Sequence, residues 1–138
     1  MLCPLRCPPA DPESVAFVIR CFLLRAVAVE ELREWAEQIL ADSEDWPMFV
    51  EGLAEFDGVG EEVYHMLGFV PERAFTPAQD AALAGIAYDR GRVPRPGSPG
   101  EAAAREALGA HPALADEFRR AFAFLRWEEG VAAECNRR

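Results

Sequence analysis

The 138-residue chain contains no lysine, so all 14 of its basic residues are arginines. It has only two histidines and four cysteines, and its 24 Asp and Glu residues give a formal net charge of −10. Proteins that bind nucleic-acid phosphates or anionic membrane surfaces carry basic patches. The acidic pI, near 4.6, therefore argues against nucleic acid and membrane ligands, and it is compatible with a basic protein partner.

The sequence also lacks an apolar run long enough to cross a bilayer, which takes about 20 residues. The longest candidate, residues 15–29, is shorter than this and is interrupted by Arg20 and Arg25. The same two arginines interrupt the only stretch that resembles the apolar part of a secretion signal. We therefore expect a cytoplasmic protein, in which cysteines are usually reduced.

Motifs for catalysis and for cofactor binding are missing as well: there is no phosphate-binding glycine loop and no serine-hydrolase or zinc-protease motif. Cys3 and Cys7 have a loosely suitable metal-ligand spacing, but no second Cys or His pair follows at zinc-finger distance, and Cys135 is remote. We predict no catalytic residue, no metal site and no cofactor. The enzyme alternative uses Glu61 and His65, whose i, i+4 spacing is also that of a plain helical salt bridge.

What the sequence does contain is a series of helical patterns. Residues 15–29 are apolar all round a helical wheel, which is typical of a helix covered by others. Asp11 and Pro12 suit the N-cap and first position, so we predict a central apolar helix over about 12–26. Residues 29–42 form an amphipathic pattern at i, i+3, i+4, i+7 and i+8. Its apolar positions are Leu32, Trp35, Ala36, Ile39 and Leu40.

Caps and spacing indicate further helices downstream. The third begins near Pro47 and buries Phe49, Leu53 and Phe56, and the fourth runs from about 60 to 67 with Gly68 as a left-handed C-cap. Later helices follow two predicted capping boxes and the dipeptide 111–112. The last of them presents on one face the apolar residues Leu114, Phe118, Ala121, Phe122 and Leu125. The boxes pair Thr76 with Gln79 and Ser98 with Glu101.

The predicted fold class is all-α: a single-domain bundle of six or seven helices around the central apolar helix. Residues 11–129 form this helical domain. An irregular tail with prolines and cysteines is predicted over 1–10, and a flexible tail over 130–138. No strand pattern of useful length is present.

The negative charge is concentrated in residues 30–62, which hold twelve acids and one base, Arg33. This segment carries −11, so the rest of the chain sums to about +1. Several acids are like-charge helical neighbours, each pair costing about 0.2–0.5 kcal/mol, and we expect Arg33 to relieve only Glu30 and Glu37. A segment that tolerates these costs is complementary to a cationic surface. The alternative is a solvated face that keeps the protein soluble.

We predict a partner-binding site formed by seven of these acids, with one tryptophan as a hydrophobic anchor. Its residues are Glu34, Glu37, Asp42, Glu44, Asp45, Trp46, Glu51 and Glu55. The alternative role of Trp46 is a hydrophobic cap on the third helix.

A second charged feature is the loop 91–100, in which Arg92 and Arg95 follow Arg90 at the end of a predicted helix. As a basic loop it suits a phosphate or an acidic partner, including the acidic segment of this chain or of a second copy. The alternative is an exposed linker.

The run RCFLLRAVAVEELREWAEQIL, within residues 14–42, resembles small helical bacterial proteins of polymorphic-toxin loci, among them immunity proteins. In these an apolar helix leads through a very short turn into an amphipathic helix with a Trp-Ala pair, here Trp35 and Ala36. The resemblance implies a cytoplasmic inhibitor that binds a secreted toxin domain and blocks its active site, with no catalytic residue of its own.

We therefore predict a non-enzymatic acidic binding protein, an immunity protein that occupies the cationic groove of a basic, nuclease-like toxin. The alternative is a self-associating structural or regulatory module. In that case the Arg90–Arg95 loop meets the acidic face of a second copy in a homodimer.

Overall fold

The computed structural model describes residues 12–42, 48–69 and 73–127. Over these ranges the chain is helical with no β-strand, so the all-α fold class is confirmed. None of the described helices is long and apolar enough to cross a membrane. The predicted tails, 1–10 and 130–138, lie outside the described residues, as does the predicted N-cap Asp11.

The described part of the chain contains seven α-helices and one short 3₁₀ turn. In chain order they are α1 (Pro12–Leu23), α2 (Val29–Asp42), α3 (Phe49–Glu55), α4 (Glu62–Leu67), α5 (Pro77–Asp89), α6 (Glu101–Ala110), α7 (Pro112–Ala121) and the 3₁₀ turn Ala123–Leu125. Their tertiary contacts group the described residues into two compact units. The first unit contains 12–22, 28–42, 48–69 and 73, and the second contains 23–27 and 74–127.

Helix α1 is buried almost throughout, as predicted for a helix that is apolar all round. From Val15 to Leu23 only Arg20 is more than one-tenth exposed. The helix ends at Leu23, three residues before its predicted end at about residue 26. The reason is the backbone of Arg25, whose φ of 68° is left-handed and cannot continue a right-handed helix.

Helix α2 has the predicted bounds and the predicted buried face, with Leu40 half-buried at its edge. No Ser, Thr or Asp precedes it to act as N-cap. The carboxylate of Glu31 instead accepts a hydrogen bond from the backbone N–H of Ala28, at 2.9 Å. This is one half of a capping box, and it satisfies a donor that the first turn leaves open.

The first unit continues with α3 and α4, and α3 packs against both α2 and α4. Leu53 and Phe56 are buried as predicted, whereas Phe49 is only half-buried and Val50 is buried in addition. Gly68 ends α4 in the left-handed conformation, with φ of 82°, and its N–H donates to the carbonyl of Tyr64 at 2.9 Å. The predicted C-cap is confirmed.

In the second unit, one predicted capping box is confirmed and the other is wrong. Thr76 and Gln79 cap α5 reciprocally. Helix α6, however, begins at Glu101 with Gly100 as N-cap and no side-chain cap. Ser98 instead lies in a turn, and the carbonyl of Pro99 accepts a hydrogen bond from the hydroxyl of Tyr88 at 3.2 Å, so the chain becomes helical two residues later than predicted.

Helices α5 and α6 form the closest pair in this unit. A Cβ atom placed on Gly85 of α5 would lie 2.5 Å from the carbonyl oxygen of Ala104 on α6, so the absence of a side chain lets the backbones meet. Helix α7 buries Leu114 and Phe118 on its predicted face. It ends at Ala121, before the predicted face is complete, and Leu125 is half-buried in the 3₁₀ turn.

Candidate functional site

Five of the eight predicted partner-binding residues are described, and all five are exposed on the first unit. Glu34, Glu37 and Asp42 lie on α2, and Glu51 and Glu55 lie on α3. Because α2 and α3 pack against each other, residues from two parts of the sequence come together on one unit. The other three, Glu44, Asp45 and Trp46, lie outside the described residues.

The helical register groups these acids into rows. On α2, Glu34 and Glu37 are three residues apart, and Glu30 precedes Glu34 by four, so all three share the side opposite the buried Leu32 and Ala36. On α3, Glu51 and Glu55 are four residues apart and share one exposed side. We call these six residues the acidic surface: Glu30, Glu34, Glu37, Asp42, Glu51 and Glu55.

The only base of the acidic segment forms its hydrogen bonds at the end of α3, not with the acids that it was expected to relieve. The Nη1 atom of Arg33 donates to the carbonyl of Phe56 at 2.9 Å and lies 3.4 Å from a carboxylate oxygen of Asp57. The carbonyl belongs to the C-cap residue of α3, where helical hydrogen bonds run out and a donor is needed. Arg33 thus joins α2 to the end of α3, and its ion pair is with Asp57 and not with Glu30 or Glu37.

A polar cluster in the second unit was not found from the sequence. Asp89 is the one charged residue that is buried in the described part of the chain. One of its carboxylate oxygens accepts from Nη1 of Arg105 and the other from Nε1 of Trp127, both at 2.9 Å. Arg105 also donates from Nε to the carboxylate of Glu101, at 2.8 Å.

This cluster joins α5 to α6 and to Trp127 within the second unit. Hydrogen bonds from its charged form to Glu101 and Asp89 raise the pKa of the Arg105 guanidinium above its ordinary value. The cation is therefore permanent, and both Asp89 oxygens are satisfied by fixed donors, which is the arrangement a buried carboxylate requires. A sequence signal existed: Asp89 follows Ile86 by three residues and Ala82 by seven, in line with the apolar stripe of α5.

The basic loop has a structural role that the sequence did not indicate. The side chain of Arg90 donates to the carbonyl of Ala26 at 2.7 Å, and that of Arg92 to the carbonyl of Arg25 at 2.8 Å. The backbone N–H of Arg95 donates to the carbonyl of Leu24 at 3.3 Å. These carbonyls follow the end of α1 and have no helical partner, so the loop completes the turn within the second unit.

The two residues of the enzyme alternative, Glu61 and His65, lie at the surface. Glu61 is the N-cap residue of α4 and His65 is in its last turn, and both are exposed. Across the described ranges, no group of three or more His, Cys, Asp or Glu side chains is arranged to hold a metal ion.

No protein-family model matches the chain, and neither a curated protein nor a solved structure matches it.

Proposed function

We propose that this chain is a non-enzymatic binding protein whose acidic surface docks on a cationic surface of a protein partner. The supporting observation is the exposure of all five described acids of the predicted site on two helices that pack together. The contacts of Arg33 support it further. This one base of residues 30–62 donates to the carbonyl of Phe56 at the end of α3 and not to Glu30 or Glu37.

Repulsion between like charges on α2 supports a role in binding a cationic partner. Neighbouring like charges on α2 cost about 0.2–0.5 kcal/mol per pair in the free protein. Cations of a partner replace these repulsions with attractions, and complementary potentials also accelerate the encounter. Relief of this repulsion therefore contributes to the free energy of binding.

The partner we propose is a basic, nuclease-like toxin, with this chain as its cytoplasmic immunity protein. A nuclease needs a cationic groove to hold the phosphates of its substrate. A carboxylate-rich surface is the chemistry that fills such a groove and excludes the substrate. Inhibition of this kind needs no catalytic residue in the inhibitor.

The first test is co-purification of the tagged chain with the product of the neighbouring gene, at about 50 and then 500 mM salt. The screening length falls from about 14 Å to about 4 Å over this range. We expect a complex at low salt that weakens as salt rises, and inhibition of the partner's nuclease activity in proportion to complex formed.

A charge-reversal pair makes the test specific. E37R/E55R changes the acidic surface, and E106R/D116R makes the same change in charge at exposed positions of the second unit. We expect the first variant to bind at least about tenfold more weakly at low salt and the second to bind nearly as the native chain does.

Equal weakening by both variants would mean that only net charge matters, and unchanged affinity in E37R/E55R would refute the proposed surface. Light scattering of the chain alone completes the test. A dimer that dissociates with salt and is abolished by E37R/E55R would replace the toxin inhibitor with the self-associating module.

A further inference from the structure

Beside the acids of α3 lies an apolar surface that the proposed function leaves unused. Met48 is 86% exposed and Phe69 is 43% exposed, although large apolar side chains gain by burial. Met48 is the N-cap residue of α3 and already has helical backbone angles, φ −59° and ψ −30°. It therefore stands in register with the helix that follows.

The register places this methionine beside the acids. Met48, Glu51, Gly52 and Glu55 follow one another at i, i+3, i+4 and i+7, the spacing of a single helix face. That face is the exposed side of α3, opposite the buried Val50 and Leu53.

A second methionine lies on the same face. A Cβ atom on Gly52 would be only 2.5 Å from the sulfur of Met66 on α4, so the Met66 thioether covers the gap that the glycine leaves. The ring of Phe49 on α3 also meets that of Phe69 edge to face, with centroids 5.4 Å apart. We call Met48 and Met66 with Glu51 and Glu55 the methionine–acid surface.

We infer that the methionine–acid surface binds a basic amphipathic segment of a protein partner, with apolar side chains on the methionines and arginines or lysines beside the two glutamates. This inference rests on the proposed function and specifies the contact chemistry of its partner. Flexible, polarisable methionines adapt to apolar side chains of varied shape. An amphipathic helix laid on an apolar strip is a common mode of peptide recognition.

The adjoining charge decides between occupants. Phosphates of nucleic acid and anionic lipid headgroups are repelled by Glu51 and Glu55. A partner that is cationic but has no apolar side chains leaves Met48 in water. A segment that carries both features matches both halves of the surface.

The experiment uses the full chain and two synthetic peptides of the same composition, leucine, alanine and arginine in about 18 residues, long enough for several helical turns. In one peptide the leucines form a stripe at helical spacing. In the other they are distributed around the helix. Calorimetric titration measures the affinity of both peptides. It is done at about 150 mM salt because exposed charges are strongly screened at this ionic strength.

We expect the striped peptide to bind at least about tenfold more tightly, because only it presents a continuous apolar face for burial. Met48→Ser should weaken it about fivefold or more, since this side chain is largely exposed before binding. The matched control is Val93→Ser, a 78% exposed apolar residue of the second unit, which should leave the affinity unchanged. Circular dichroism verifies that both variants are folded.

Equal binding of the two peptides, unaffected by Met48→Ser, overturns the inference and leaves the acidic proposal to its own charge-reversal test. Binding of neither peptide also overturns it. Self-association of the chain that Met48→Ser abolishes overturns it too, because the occupant is then a second copy. Weakening of partner binding by E37R/E55R but not by Met48→Ser also overturns the inference, and it leaves the acidic surface as a contact made by charge alone.

Discussion

The closest contact between α5 and α6 gives the sharpest test of the structure. In an exposed helix interior, alanine is more favourable than glycine by about 1 kcal/mol, so Gly85→Ala should stabilise α5 if only local propensity mattered. The structure predicts the opposite sign. The new Cβ would lie 2.5 Å from the carbonyl oxygen of Ala104 and 3.0 Å from Cβ of Leu108.

The size of the effect follows from what has to move. The nearest atoms belong to the backbone of Ala104, so no side-chain rotation relieves the overlap and the two helices must separate. Overpacking of this kind costs about 1–3 kcal/mol. After the gain in helix propensity of about 1 kcal/mol, the net loss for Gly85→Ala is about 0–2 kcal/mol.

The chain supplies a matched control in Gly109, a glycine of α6 that is exposed and has no atom within 4 Å of an added Cβ. Gly109→Ala should gain up to about 1 kcal/mol from propensity alone. The two variants carry the same chemical change and should differ by about 1–3 kcal/mol, with Gly85→Ala the less stable. Urea unfolding followed by circular dichroism measures this difference. Equal stability of the two variants, or a more stable Gly85→Ala, would refute the close packing of α5 and α6.

Three further predictions concern polar contacts, each measured by urea unfolding. Asp89→Ala should lower the free energy of unfolding by about 2–3 kcal/mol, because the Trp127 indole N–H loses its acceptor and the Arg105 guanidinium loses its buried carboxylate. A loss below about 0.5 kcal/mol would contradict the buried network. Thr76→Ala should cost about 1 kcal/mol by removing an N-cap, and Thr76→Ser should restore most of it, so equal losses in both variants argue against capping. Arg90→Ala should cost about 1–2 kcal/mol because the carbonyl of Ala26 loses its donor, whereas native stability in this variant would show that the contact is dispensable.

The helices that the sequence predicted most accurately are those specified by local patterns. The register of α2 follows from apolar residues at helical spacing, and the start of α5 follows from Thr76 and Gln79, which satisfy each other within one turn. Gly68 ends α4 because a residue without a Cβ enters the left-handed region at little cost. In each case the decisive atoms lie within a few residues of one another along the chain.

The candidate site was only partly predictable. Exposure of Glu34, Glu37, Asp42, Glu51 and Glu55 follows from their positions opposite apolar residues. The direction of Arg33 did not follow, because its acceptor at Phe56 is 23 residues away in sequence and comes near only when α3 packs on α2. Met66 reaches the exposed side of α3 for a similar reason, the packing of α4 on Gly52.

By itself, the sequence determined the all-α class, the face that α2 buries and the concentration of negative charge in residues 30–62. Tertiary structure alone decided where α1 ends and which side chains pair with Asp89. The carbonyls after α1 are satisfied by Arg90 and Arg92, more than 60 residues later, and Asp89 is paired with Trp127, 38 residues later. Hydrogen-bond partners that distant are set by folding of the whole unit, because a buried polar group takes whichever donor the packing brings within reach.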